Sequence, residues 1–303
     1  MKLSLRVRTI IPIALTIVIF GLFAVGSISW FARDNLLDGA QKDLELIVHE
    51  KSREIGRLFD TSQKLAKTLS QNSFLISYLE NDEEIIYQDE HILEHFEQGN
   101  IGGQYSAIYV MGVDGVTYVS TDEAFVGNNY GFRPYFKGAV QGESVVSVAR
   151  GVTSGKLGYY FSHPVYSQDD IIGVVVAKLN PDLVQDYISF GELGDGFHVM
   201  FTDQYGVVVY SDISERLFRS VGALDKDVIT FIKDERTYEG VEIRPLQYDD
   251  VQDVIRAGSG VATIWIYDEM DAKDELLVVD YVEGYPFYLI VEQDVETFVR
   301  PIN

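Results

Sequence analysis

Residues 9–32 form a run of 24 uncharged, mostly apolar positions between Arg8 and Arg33. Wound as a helix the run is about 36 Å long, enough to cross a hydrocarbon layer of about 30 Å with some tilt. Pro12 lies near its start, where a helix tolerates proline best. Lys2, Arg6 and Arg8 precede it, so the positive-inside rule makes residues 1–8 a cytoplasmic tail. Trp30 and Phe31 stand at the far end, as interfacial aromatics do. A cleaved signal peptide has an apolar core of only about 7–15 residues followed by a small-residue cleavage site. The length of this run therefore predicts an uncleaved anchor, with the remaining chain outside the cytoplasmic membrane.

Past Arg33 the apolar positions recur at steps of three and four: Leu37, Ala40, Leu44, Ile47, Ile55, Leu58, Leu65 and Leu69. This period predicts a long amphipathic stalk helix over 33–80. Its stripe can pack on its own domain, form a dimer seam, or do each in a different segment. From about Ser106 the period becomes strand-like. Ala107–Val119 holds an Asp114-Gly115 turn between two β-rich runs, a hairpin signal. Val199–Asp212 repeats it, and the paired β-rich runs of Tyr159–Leu179 are echoed at Leu276–Gln293 around Glu283-Gly284. The expected fold is α+β: a transmembrane helix, a long stalk helix, then two similar antiparallel-sheet units over 81–190 and 191–298. Residues 299–303 would begin a connection to a second membrane helix and an output module that the sequence does not contain.

Composition adjusts this picture in three ways. With 47% apolar residues and 13% aromatics the chain can fill two cores. It has no cysteine, so disulfides and thiolate metal sites are excluded. Setting aside Lys2, Arg6, Arg8 and Arg33 leaves 20 basic against 47 acidic residues, a net of about −27. Such a surface repels nucleic acid, and it admits an anion only where local cations form a recess.

One block offers that recess. Tyr130-Gly131-Phe132-Arg133-Pro134-Tyr135 is followed by Arg150, by the glycine-flanked Gly151–Gly155 turn with Thr153 and Ser154, by Tyr160 and Ser162, and by the apolar run Ile171–Leu179 that Lys178 interrupts. Pro134 biases Arg133 toward an extended backbone, and a guanidinium fork suits a carboxylate. Lys178 lies in a strand that reads as buried on both faces, so its ammonium needs a partner: an internal Asp or Glu, a ligand carboxylate, or solvent near the strand end. Tyr130, Tyr135 and Tyr160 supply rings to line a pocket and hydroxyls to bond an anion. Two cationic ends with hydroxyls between them suit a short ligand with one or two carboxylates.

From Tyr130 to Leu179, behind a single anchor and a long helix, the chain resembles the double Cache (tandem PAS-like) extracellular sensor domains. Within that group it looks most like those of bacterial dicarboxylate-sensing histidine kinases. The resemblance extends over about residues 34–298. It implies a membrane-distal ligand-binding unit and a proximal unit that usually binds nothing. The family's Tyr-x-x-Arg step falls on Tyr130 and Arg133, its tyrosine after the proline on Tyr135, its hydroxyl pair on Thr153 and Ser154, and its strand lysine on Lys178. Arg150 departs from the family pattern, where an apolar residue is more usual, and so bears on ligand size and charge.

His91-Ile92-Leu93-Glu94-His95 has the spacing of an inverted zinc-peptidase motif. It follows the acidic Glu83, Glu84, Asp89 and Glu90, and reads better as a solvated helix face. No nucleophile elbow, Walker loop or dinucleotide loop is present. The resulting expectation is a non-enzymatic sensor region of a bacterial inner-membrane receptor of histidine-kinase type, with the sensor periplasmic. It would form a homodimer through its N-terminal helix, carry no metal or cofactor, and bind a small carboxylate, foremost a C4-dicarboxylate. The alternatives are a chemoreceptor or diguanylate cyclase sensor for a monocarboxylate or amino acid, and a membrane-tethered binding or scaffold protein.

Overall fold

The apolar run and the periodic stretch after it form one continuous helix, α1 (Leu5–Ser70), of 66 residues. The computed structural model describes residues 5–81, 85–152, 155–189, 196–258, 260–268 and 273–295. Between Leu15 and Phe31 the large apolar side chains of α1 are exposed, and this segment is long and apolar enough to cross a membrane. From Leu44 onward the stripe turns inward: Leu44, Val48, Ile55, Phe59, Ala66 and Leu69 are buried. This part of the stripe packs on its own domain. The helical stretch expected over 33–80 is two helices, because α1 ends at Ser70 and a second, α2 (Ser73–Glu80), starts afresh. Asn72 makes the break, its side-chain oxygen accepting from the Phe74 and Leu75 amides (2.8 and 3.2 Å).

After α3 (Glu90–Gly99), strands β1 (Tyr105–Gly112) and β2 (Thr117–Ser120) form the first hairpin. Gly115 in its turn has φ +83°, which glycine adopts without strain. Then come α4 (Pro134–Ala139), β3 (Val145–Arg150), β4 (Leu157–Ser167), β5 (Asp170–Leu179) and α5 (Pro181–Ile188). The second half follows the same plan: β6 (Phe197–Asp203), β7 (Val208–Ser211), α6 (Lys226–Asp234), α7 (Asp249–Ala257), β8 (Ala262–Asp268), β9 (Lys273–Tyr281) and β10 (Phe287–Asp294).

Two five-stranded antiparallel sheets result, ordered β2-β1-β5-β4-β3 and β7-β6-β10-β9-β8. The order is the same in both, and both first hairpins shift register at the same place, between Val110 and Met111 and between Phe201 and Thr202. The inner face of each sheet packs on α1. The outer faces carry separate cores, one including Tyr135 and Phe136 of α4 and one including Val251 and Ile255 of α7. Burial on both faces explains why β5 reads as a nearly unbroken apolar run. This is the α+β tandem architecture the sequence predicts.

Phe59 joins the halves. Its ring lies 5.7 and 5.3 Å from Tyr159 and Phe161 of the distal sheet. It lies 6.4, 5.3 and 5.3 Å from Phe201, Tyr285 and Phe287 of the proximal half. A polar seam supplements it. The Arg150 amide donates to Thr237 O (2.8 Å) and Lys137 pairs with Glu235 (2.9 Å), while within the proximal half the Tyr238 hydroxyl beside this seam donates to Asp203 Oδ2 (2.7 Å). Asp203 Oδ1 accepts from the Tyr205 and Val207 amides, both at 2.9 Å.

Two outcomes are expected. Phe59→Ala removes a fully buried ring shared by both sheets and should cost about 3–5 kcal/mol, read as a drop in the urea midpoint in which both halves loosen together. Burial pushes the Asp203 carboxyl up from its ordinary 3.8 to about 6, against hydrogen bonds that pull it down. A folded pKa above the unfolded one makes this group's contribution greatest in acid and lets it decline as pH rises through about 6. Melting temperatures measured across that window should fall less with pH in Asp203→Asn than in the wild type.

Candidate functional site

Register places the chemistry. Lys178 of β5 lies opposite Tyr160 of β4 on one side and Ala107 of β1 on the other. These residues share the outer face with Tyr109, Val174 and Val176, beneath α4. Arg133 is the residue before Pro134 at the head of α4, and its φ −73° and ψ 141° are the extended conformation that a following proline favours. Its backbone direction sends the guanidinium into the protein, where the residue is 2% exposed.

A small cavity of about 10 Å³ lies there, lined by Phe125, Tyr130, Arg133, Tyr135, Gly151, Val152 and Tyr160. Four of the sequence-predicted residues, Tyr130, Arg133, Tyr135 and Tyr160, therefore meet around it. Lys178 stands at its edge, with Nζ 5.3 Å from the Phe125 ring centre and 5.8 Å from that of Tyr160. Gly158 provides room for the Lys178 stem, since a Cβ there would come within 2.5 Å of Lys178 Cε. At about 10 Å³ the cavity has room for no more than a single water, far below the roughly 300 Å³ at the lower end for ligand pockets, so a dicarboxylate would enter only with outward movement of its walls.

The remaining predicted residues have other positions. Ser162 is fully buried, but its hydroxyl donates to Tyr135 O (2.8 Å) and so ties α4 to β4. Arg150 does not line the cavity. Its Nε donates to Gly155 O (2.9 Å) and its Nη1 to Glu239 O (2.8 Å), while its own carbonyl accepts from Arg133. Thr153 and Ser154 lie outside the described residues. Phe125, Gly151 and Val152 line the cavity without having been singled out as ligand contacts. Phe125 arrives from the three-residue 3-10 helix Glu123–Phe125, and nothing in its local pattern marks it.

The electrostatics are those of a cation-rich recess with protonated phenols. Burial pushes the Lys178 ammonium below its ordinary pKa; Asp122 pulls it back up, while Lys156 and Arg133 push it further down. Among the described residues no carboxylate makes an ion pair or hydrogen bond with Lys178 or Arg133. Arg133 instead donates from Nη1 to Arg236 O and from Nη2 to Arg150 O, both at 2.9 Å. Burial raises the Tyr160 phenol to about 12, with Arg133 opposing, and raises Tyr109 and Tyr135 further. These hydroxyls therefore act as donors at neutral pH. Tyr109 Oη donates to Tyr135 Oη (2.8 Å), which leaves the Tyr135 proton for another acceptor. Tyr135 is also stacked on Tyr160 at 5.0 Å. The arrangement can bind and orient an anion.

A wider groove between α2 and α3 includes His91, His95, Asp89 and Glu94 but, among the described residues, no Lys or Arg, the wrong sign for an anion. His95 Nε2 there faces the Asn72 side-chain amide at 2.8 Å.

Comparison with known proteins agrees with this architecture. A 129-residue stretch is 33% identical to the C4-dicarboxylate transport sensor protein DctB of Pseudomonas aeruginosa, covering 40% of this chain and 20% of that protein. A 152-residue stretch is 27% identical to DctB of Rhizobium meliloti, covering 48% and 24%. The matched stretches thus span about a fifth to a quarter of these relatives. Among solved structures, the sensor domain of the Vibrio cholerae histidine kinase DctB superposes with a TM-score of 0.65 at 20% identity, covering 85% of this chain and 98% of that one. The ligand-binding domain of the Pseudomonas aeruginosa amino acid chemoreceptor PctB, in complex with L-Arg, superposes at 0.57 with 14% identity, covering 86% and 100%. The Cache domain model, in its double form, matches residues 31–302. With two sheets of one order on a shared helix, and that match across nearly all of its length, the chain belongs to the Cache domain family.

Proposed function

We propose that this chain is the extracytoplasmic sensing region of a bacterial transmembrane receptor of histidine-kinase type, and that it binds a C4-dicarboxylate in the distal cavity. The observation that carries this reading is the pair of buried cations, Arg133 and Lys178, beside one cavity with no carboxylate paired to either among the described residues. A buried cation without a counter-charge is costly, and a ligand carboxylate at each would supply it. Tyr135 and Tyr160 add neutral donors. The curated relatives named above are dicarboxylate sensors, which supports the same ligand class. An amino acid would also need an acceptor for its ammonium, and among the described residues no Asp or Glu lines the cavity.

The same geometry provides a route for the signal. Arg133 belongs to the distal unit but donates to the carbonyl of Arg236, in a turn of the proximal half. A ligand carboxylate forms a stronger, charge-assisted bond and competes with that carbonyl for the guanidinium. Binding therefore biases the seam made by Arg133, Arg150 and the 235–239 turn, and α1 carries the displacement toward the membrane. Lys2, Arg6 and Arg8 orient the anchor with its N-terminus in the cytoplasm. The exposed side of α1, with Leu36 and Leu46, is the surface through which two copies would pair.

Calorimetry on the full chain in nanodiscs should give heat with succinate or malate. Arg133→Met and Lys178→Met should each weaken binding about 10- to 100-fold, equivalent to about 1.4–2.8 kcal/mol. Absence of heat with every small carboxylate, or unchanged affinity in Arg133→Met, would overturn the reading. Because the Lys178 pKa is lowered and only its ammonium form pairs with an anion, affinity should fall as pH rises into the alkaline range. Lys178→Arg, whose cation does not titrate there, should flatten that fall.

A further inference from the structure

The two sheets can be matched residue by residue through their registers. Tyr109 pairs with Ser120 on one side and Val176 on the other, and Met200 pairs with Ser211 and Ile290 in the same way. Two residues further along β5 and β10, Lys178 therefore coincides with Glu292. The 3-10 helices Glu123–Phe125 and Ser214–Arg216 follow β2 and β7 at the same distance, so Phe125 coincides with Arg216. Arg133 precedes α4 on the distal outer face, and Tyr248 precedes α7 on the proximal one.

At these matched positions the chemistry is inverted. In the distal unit the cation Lys178 lies over the neutral ring of Phe125, 5.3 Å away. In the proximal unit the same contact is a two-pronged ion pair: Arg216 Nη1 to Glu292 Oε2 at 2.7 Å and Nη2 to Oε1 at 3.2 Å. Arg216 Nη2 also reaches the Tyr248 hydroxyl at 3.3 Å, and its Cζ lies 5.8 Å from the Tyr248 ring. The Glu292 side chain is 3% exposed and that of Arg216 12%. A bidentate, hydrogen-bonded and buried guanidinium–carboxylate pair is the geometry by which proteins recognise free carboxylates.

We infer that the proximal outer face is a carboxylate site of the distal layout, permanently occupied by the chain's own Glu292. Arg216 and Tyr248 are its receptor groups, and Glu292 is its resident ligand. With that side chain cut back, the site takes a small monocarboxylate of the formate or acetate class. The proximal unit is thus held in one ligand-bound form, and the distal cavity is left as the unit that responds. This inference rests on the registers and the ion pair, independently of which molecule the distal cavity takes.

The test is chemical rescue in the full chain in nanodiscs. Glu292→Ala should lower the melting temperature, and sodium formate should restore at least half of the loss where sodium chloride at equal ionic strength does not. The wild type, which keeps the distal cavity, should gain much less from formate, so any distal binding is subtracted. Glu292→Ala combined with Arg216→Met should show no rescue. Equal effects of formate and chloride on Glu292→Ala, or rescue that persists without Arg216, would overturn the inference in favour of a purely structural ion pair. If Glu292→Ala does not fold in chloride, the folded yield in formate against chloride gives the same two outcomes.

Discussion

Phe59 is the point on which the architecture turns. A single side chain of one helix touches aromatic rings of both sheets, two in the distal half and three in the proximal half. Such ring pairs contribute about 0.5–1.5 kcal/mol each beyond the area they bury. The consequence is mechanical as well as energetic. Neither sheet can shift against α1 at this level without disturbing the packing of the other, because close-packed interiors deform in discrete steps. A change in the distal unit therefore has a physical partner in the proximal one.

The polar seam lies beside this aromatic joint and couples it to the cavity. Arg133 serves two places at once, lining the cavity and donating to a carbonyl 103 residues away. Arg150, the residue that departs from the family pattern, takes part in the same seam through its amide, its carbonyl and its guanidinium. Its cation is spent on the carbonyls of Gly155 and Glu239 and does not line the cavity. Its expected influence on ligand charge is therefore replaced by a place in the connection between units.

The two units show how one backbone plan can carry opposite electrostatics. Both outer faces bury a charge on the last strand of the sheet in chain order, β5 or β10. One makes an ion pair with its counter-charge within the chain, and the other lies beside rings, with Asp122 acting on it but no ion pair among the described residues. Burial makes that difference matter, since a low-dielectric surrounding magnifies both the pair and its absence.

Much of this was legible in the sequence because it depends on local order. Residues 9–32 announce a membrane-length helix by composition. Asp114-Gly115 and Glu283-Gly284 mark hairpins because glycine tolerates positive φ. Lys178 stands out because the residues beside it are all apolar, and Arg133 is extended because Pro134 follows it. Other features had no local sign. Asn72 breaks the helix through a side-chain cap, in a stretch whose apolar period continues. Phe125, Gly151 and Val152 line the cavity because strand register and the 3-10 turn bring them there. Ser162 gives its hydroxyl to a carbonyl of α4, and Arg216 finds Glu292 across 76 residues. The sequence by itself determined the elements, their repetition and the presence of buried cations, since each follows from period, propensity and neighbours. Only the tertiary structure decided which cation faces a cavity and which meets a carboxylate, because those partners are chosen by register and packing between distant segments.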